Sequence, residues 1–274
     1  MRISKYVKLL YTVFPFLAVT PTSTAQTLSP VEVYSAAVKP SKSWLDHAGL
    51  SSQKASDYQL DRQPVMAMPQ LQELSKEEFT AALSKQVQLI DTRPKEEVST
   101  GFISGSIHIA AGEKFSSFFG ALVKNRQPII LIAKPRAIPS LTRELQALGW
   151  NDIYGYVTHI DHLGIPIEKP ALINIDTYKI IVAGQHRAQL VDVRTAVEFK
   201  KGHIPNEVNI PLGDLEKKLH LIDQDKPVII HCQSGTRGTI AYSILLKNGF
   251  KNIGLFFEGI DGWTAAGGEL VQDN

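Results

Sequence analysis

Short apolar runs alternate with stretches of helical spacing through the last two-thirds of the chain. In the second half, Gln189 to Asp192 reads as a short strand. Val228 to Cys232 is a continuous apolar run, the kind covered on both faces of a sheet, and Ile253 to Phe256 is another. Between them lie helical segments. Asp176 is placed to cap a helix running to about Ala183. Leu212 to Leu219 has helical spacing with one polar side, and Arg237 to Lys247 is a helix stopped by Asn248-Gly249. Glu258 to Ala265 forms the last helix. Strands alternating with helices predict an α/β fold, with a mainly parallel sheet flanked by helices on both faces. In such sheets chemistry collects beyond the carboxyl ends of the strands, and Cys232 falls at such an end.

The pattern occurs twice. Leu89-Ile90-Asp91-Thr92-Arg93 returns as Leu190-Val191-Asp192-Val193-Arg194, and Pro128-Ile129-Ile130-Leu131-Ile132 as Pro227-Val228-Ile229-Ile230-His231. Leu148-Gly149-Trp150-Asn151-Asp152-Ile153 is answered by Asn248-Gly249-Phe250-Lys251-Asn252-Ile253. The offset stays at about 100 residues, which marks a duplicated domain and not a short solenoid repeat. The expected divisions are 71–170 for the first copy and 171–274 for the second.

Before the repeats, residues 1–25 run from a basic zone with Arg2, Lys5 and Lys8, through an apolar run from Leu9 to Val19, to the small residues Ser23-Thr24-Ala25. That order is expected of an export signal, and the run is well short of the roughly 20 residues that span a bilayer. Export to a periplasm or the exterior is therefore expected, with no integral membrane span after cleavage; an uncleaved anchor is the alternative. Residues 26–70, rich in Ser, Pro, Gln and Ala, read as a linker or loosely packed arm.

Composition narrows the chemistry. A formal net charge of +2 over 274 residues offers no basic excess for nucleic acid. One cysteine, Cys232, excludes an internal disulfide and any cysteine-rich metal cluster. His159-Ile160-Asp161-His162 has a metal-like spacing, but the repeat places it at a closing turn, and neither metal nor cofactor is expected there.

Cys232-Gln233-Ser234-Gly235-Thr236-Arg237 follows a buried strand and opens a helix. A loop of this length can curl until its backbone N–H groups point inward, and the helix start and Arg237 add positive charge. A sulfur at the centre is expected to be held as an anion, which is the nucleophilic form of a thiol.

These residues carry a family resemblance. Asp192-Val193-Arg194, Phe199-Lys200-Lys201-Gly202-His203-Ile204-Pro205, the C-x-x-G-x-R loop of Cys232 to Arg237, and Glu258-Gly259-Ile260-Asp261-Gly262-Trp263 occur in the order and spacing of rhodanese domains. The second copy resembles that family over about residues 174–270. It departs at Asn206-Glu207, where Gly-Ala is usual, and at Glu258, which holds the first Gly position. The resemblance implies a sulfurtransferase that moves sulfane sulfur from thiosulfate, polysulfide or a persulfide to a thiophilic acceptor through a persulfide on Cys232. Arg237 would position anionic donors, or anchor the loop through ion pairs. The N–H groups of Gln233, Ser234, Gly235 and Thr236 would cradle the sulfur. Asp192, Arg194 and His203 would support the strand end, and Trp263 would be core. His231 should point to the opposite side of the strand from Cys232.

In the first copy Ala133 stands where Cys232 stands, Pro135 and Pro139 remove two N–H donors, and Phe102 and Leu163 hold the positions of His203 and Trp263. An inactive rhodanese-like domain is expected there, kept for packing, interface or substrate shaping. Two other functions stay open: a module that senses sulfane sulfur or docks a partner, and a phosphatase or arsenate reductase. The latter use a C-x5-R loop in rhodanese relatives, one residue longer than the C-x4-R found here.

Overall fold

The computed structural model describes residues 71–272. The expected signal segment 1–25 and arm 26–70 lie outside the described residues.

In the first copy the order is α1 (Lys76–Leu83), β1 (Gln88–Asp91), α2 (Lys95–Val98), β2 (Phe102–Ile103), β3 (Ile107–His108), α3 (Phe115–Leu122), β4 (Ile129–Ile132), α4 (Ile138–Ala147), β5 (Ile153–Val157) and β6 (Ile167–Glu168). The second runs β7 (Ala171–Leu172), α5 (Ile175–Ile180), β8 (Gln189–Asp192), α6 (Ala196–Lys201), β9 (Glu207–Asn209), β10 (Val228–His231), α7 (Thr236–Lys247), β11 (Ile253–Leu255) and α8 (Gly259–Ala265). Parallel pairing gives the sheets β3-β1-β4-β5 and β7-β11-β10-β8-β9, and β2 pairs antiparallel with β6.

Strand alternation sorts each copy into two apolar layers. On one face of the first sheet Ile90, Ile129 and Leu131 pack under α3 and α4, and on the other Leu89, Ile130 and Ile132 pack against Phe79 and Ala82 of α1. In the second copy Val191, Val228, Ile230 and Cys232 lie under α7, while Leu190 and Ile229 meet Tyr178 of α5 and Ile260 and Trp263 of α8. Trp263 is core, as expected.

Three local expectations shift. The first helix of the second copy is capped by Asn174, whose Oδ1 accepts from Thr177 N at 2.8 Å, and Asp176 sits in the first turn. That helix ends at Ile180 and passes into a wider π turn, Ile181–Gln185, relieved by Gly184 at φ +81°. Leu212–Leu221 winds as a 3-10 helix. Strand and helix ends elsewhere differ from the sequence reading by a residue, the usual scale of fraying.

The two copies share a core. Val98, Phe102 and Leu122 of the first are buried in the cluster built on α7 and β10 of the second. Phe102 meets Tyr242 edge-on at 6.0 Å, and His108 N donates to Ser243 Oγ at 3.0 Å.

Candidate active site

Cys232 is 1% exposed, at the end of β10. The chain then turns through Gly235, at φ +90°, and enters α7. That backbone conformation favours glycine. A Cβ on Gly235 would also lie 2.5 Å from the Phe257 carbonyl oxygen.

The loop carbonyls are held one after another. Cys232 O accepts from Ile260 N at 3.0 Å and from His231 Nδ1 at 2.9 Å. Gln233 O accepts from Asp261 N at 3.0 Å. Ser234 O accepts from Lys95 Nζ of the first copy. Gly235 O accepts from Thr239 N at 2.8 Å and Thr239 Oγ1 at 3.0 Å. The peptide unit is planar, and no cis bond occurs among the described residues. Each outward carbonyl therefore turns the next residue's N–H to the opposite side, toward the hollow of the loop. The N–H groups of Gln233, Ser234, Gly235 and Thr236 thus face away from the groups that hold these carbonyls. Gly259, at φ +61°, makes the arrangement possible: a Cβ there would lie 2.2 Å from Cys232 O, so only glycine lets α8 approach.

Arg237 is not a free cation. Its Nη1 and Nη2 each donate at 2.7 Å to the two oxygens of Glu198. The pairing with Arg237 holds Glu198 well below the usual carboxylate range. Glu198 also closes a capping box with Thr195 at the start of α6. Thr195-x-x-Glu198 is legible in the sequence as a cap; its bidentate partner 39 residues away is not.

Asp192 and Arg194 form a buried pair at 2.7 Å. Arg194 Nη2 donates to Gly202 O at 2.8 Å, and Nη1 reaches Gln233 Oε1 at 3.2 Å. Gln233 Nε2 in turn donates to Asp261 Oδ1 at 2.6 Å. The Gln233 side chain is thereby pinned. His203 is 4% exposed, stacks on Phe199 at 3.7 Å and donates from Nδ1 to Phe199 O at 3.1 Å; it is not among the residues lining the pocket.

That pocket, about 600 Å³, opens on Cys232, Ser234, Thr236 and Arg237. Its other wall comes from the first copy, with Lys114 just ahead of α3 and Phe118 and Leu122 within it. These three escaped the sequence reading, because a contact across the duplication leaves no local pattern.

Behind the strand lies a second feature the sequence reading missed. His231 points away from Cys232, as expected, and its Nε2 lies 2.7 Å from Glu207 Oε1 with both side chains fully buried. Tyr178 OH donates to the same oxygen at 2.5 Å. Burial and then Glu207 raise the Tyr178 hydroxyl well above its ordinary value, so it stays a donor. Glu207 is one of the two residues of the Asn206-Glu207 departure from the rhodanese pattern, so the departure was itself the signal. At the other, Asn206 takes a left-handed φ of 67°, which Asn tolerates in place of Gly. Among the described residues, Asp192, Glu207 and His231 alone bring three potential metal-ligand atoms within 4.8 Å. Arg194, Tyr178 and the His–Glu pairing already engage them.

In the first copy Arg93 pairs with Asp91 and reaches Gly101 O at 2.9 Å, repeating the support around Arg194. Ala133 is buried at the strand end, and Lys134 pairs with Glu97.

Two stretches, 75–161 and 177–266, match the family model described as Rhodanese-like domain. The chain belongs to the rhodanese-like family. Its relatives include a putative sulfur carrier protein of Bacillus subtilis, 34% identical over 92 residues, which are 34% of this chain and 50% of that protein. A putative mitochondrial thiosulfate sulfurtransferase of Schizosaccharomyces pombe is 39% identical over 84 residues, 26% of this chain and 59% of the relative. The match thus spans half to about three-fifths of these relatives' length. A solved rhodanese-related protein from Thermoplasma volcanium is 31% identical, covering 38% of this chain and 99% of that one, with a TM-score of 0.34. A thiosulfate sulfurtransferase from Pseudomonas aeruginosa is 18% identical, covering 73% of this chain and 43% of that one, with a TM-score of 0.35. The chain is thus a tandem of two rhodanese-like domains, in a family whose named members include sulfurtransferases.

Proposed function

We propose that this protein is a sulfurtransferase that carries sulfane sulfur as a persulfide on Cys232. One observation carries the reading: the chain's single cysteine sits inside a loop whose successive carbonyls are all tied outward. In the first half-reaction the Cys232 thiolate attacks the outer sulfur of the donor. The donor's sulfur–sulfur bond breaks, and sulfite or a thiolate leaves with the electron pair. In the second, an acceptor such as cyanide or a thiolate attacks the outer sulfur of the persulfide and returns Cys232 as thiolate. The N–H groups of Gln233 to Thr236 hold the negative charge at both stages.

Arg237 is paired with Glu198, so Lys114 is the pocket cation for which no carboxylate partner is seen among the described residues. One uncompensated charge suits polysulfide or a low-molecular-weight persulfide at least as well as doubly charged thiosulfate. The first copy, without a thiol, serves as a wall of the pocket and is inactive. The order of residues 1–25 supports export.

The test is an intact mass after incubation with thiosulfate or polysulfide, beside Cys232→Ser. The expected result is a gain of one sulfur atom, absent from the variant and removed by cyanide. No gain with any sulfane donor would overturn the reading and favour a sensing or docking module.

A further inference from the structure

We propose that Lys95, supplied by the copy without a cysteine, is a positioning residue for the reactive loop of the other copy. Lys95 is the first residue of α2. Its Nζ donates to the Ser234 carbonyl and lies 4.3 Å from the centre of the Phe257 ring. The nearest carboxylate is its exposed neighbour Glu96, at 3.9 Å. A Cβ built on Gly235 would lie 3.0 Å from Nζ, so the turn of the loop is packed directly against the ammonium.

Of the four loop carbonyls, those of Cys232, Gln233 and Gly235 are held by groups of the second copy. Ser234 O is the one held from outside. Fixing it fixes the Ser234–Gly235 peptide, and with it the direction of the Gly235 N–H in the cradle. The ammonium adds a full charge behind that dipole, partly shielded from water by the phenyl ring. The device is not a property of the repeat: the position matching Lys95 in the second copy is Ala196.

The inference rests on Cys232 being the reacting thiolate, and its test is chosen to need no sulfur transfer. Alkylation of Cys232 by iodoacetamide would be followed against pH in the full chain, in Lys95→Met, which keeps most of the aliphatic stem, and in Lys95→Arg. Ser243→Ala serves as the control, since it weakens another contact between the copies without touching the loop. The expected result is that Lys95→Met slows alkylation at mildly acidic pH by about tenfold and moves the half-maximal pH upward. Lys95→Arg should restore most of the wild-type profile, and Ser243→Ala should follow it throughout. A wild-type profile for Lys95→Met would overturn the proposal. So would an equal shift in Ser243→Ala, which would mean that any loosening between the copies has the same effect. If the wild-type protein takes up no sulfur while Lys95→Met still shifts alkylation, the positioning role stands and the sulfur chemistry falls.

Discussion

Gly235 combines two demands that only a glycine meets at once, a φ of +90° and a carbonyl oxygen 2.5 Å from where a Cβ would sit. Gly235→Ala should therefore cost stability on the order of 1–3 kcal/mol and distort the cradle. The check is a thermal melt together with the rate of persulfide formation, and the rate should suffer more than the melt. The need for glycine in this loop was legible in the sequence, because the C-x-x-G-x-R spacing sets a tight turn ahead of a helix. The state of Arg237 was not. Its guanidinium lies against Glu198 through folding alone, and a sequence shows a charge without showing what neutralises it.

At the scale of elements, β9 and β10 are joined by hydrogen bonds through β8 and, across the layer behind, by Glu207 and His231. Burial by itself would lower the His231 imidazole. The Glu207 carboxylate, Asp192 and the Cys232 carbonyl outweigh that and raise it. The stabilisation is then fully present below the ordinary imidazole value near 6.5 and is lost as pH rises through the raised folded value. The melting temperature should fall from mildly acidic to alkaline pH. Glu207→Gln should flatten that slope and lower stability by about 3–5 kcal/mol at neutral pH, as removal of one partner of a buried pair does. A slope unchanged in Glu207→Gln would assign the pH dependence elsewhere. Strand identities were readable from uninterrupted apolar runs. The cap of α5 was less so, because Asn174 and Asp176 are both capping types, and only the reach of Asn174 to Thr177 decides between them.

For the molecule as a whole, the shared cluster around Val98, Phe102 and Leu122 packs the two copies against each other, which predicts that they unfold together. Leu122→Ala should lower stability by about 2–5 kcal/mol and shift one common calorimetric transition. Two separate transitions would show that the copies unfold independently. Duplication, sheet type and chain order were all legible, since each leaves a periodic or repeated trace. The joint between the copies was not, because Leu122 and Phe118 look like ordinary core positions of their own helix. Nothing local marks them as facing a neighbour.

The passage from one copy to the other has a mechanical side. β6 is zipped to β2 of the first copy, β7 to β11 of the second, and only Lys169 and Pro170 lie between them. So short a connection, pinned at both ends, leaves two residues to absorb any movement between the copies. The pocket walls on either side of Cys232 are therefore expected to move little relative to each other. With the sulfur transfer proposed above, that spacing would favour slender sulfur donors over wide ones.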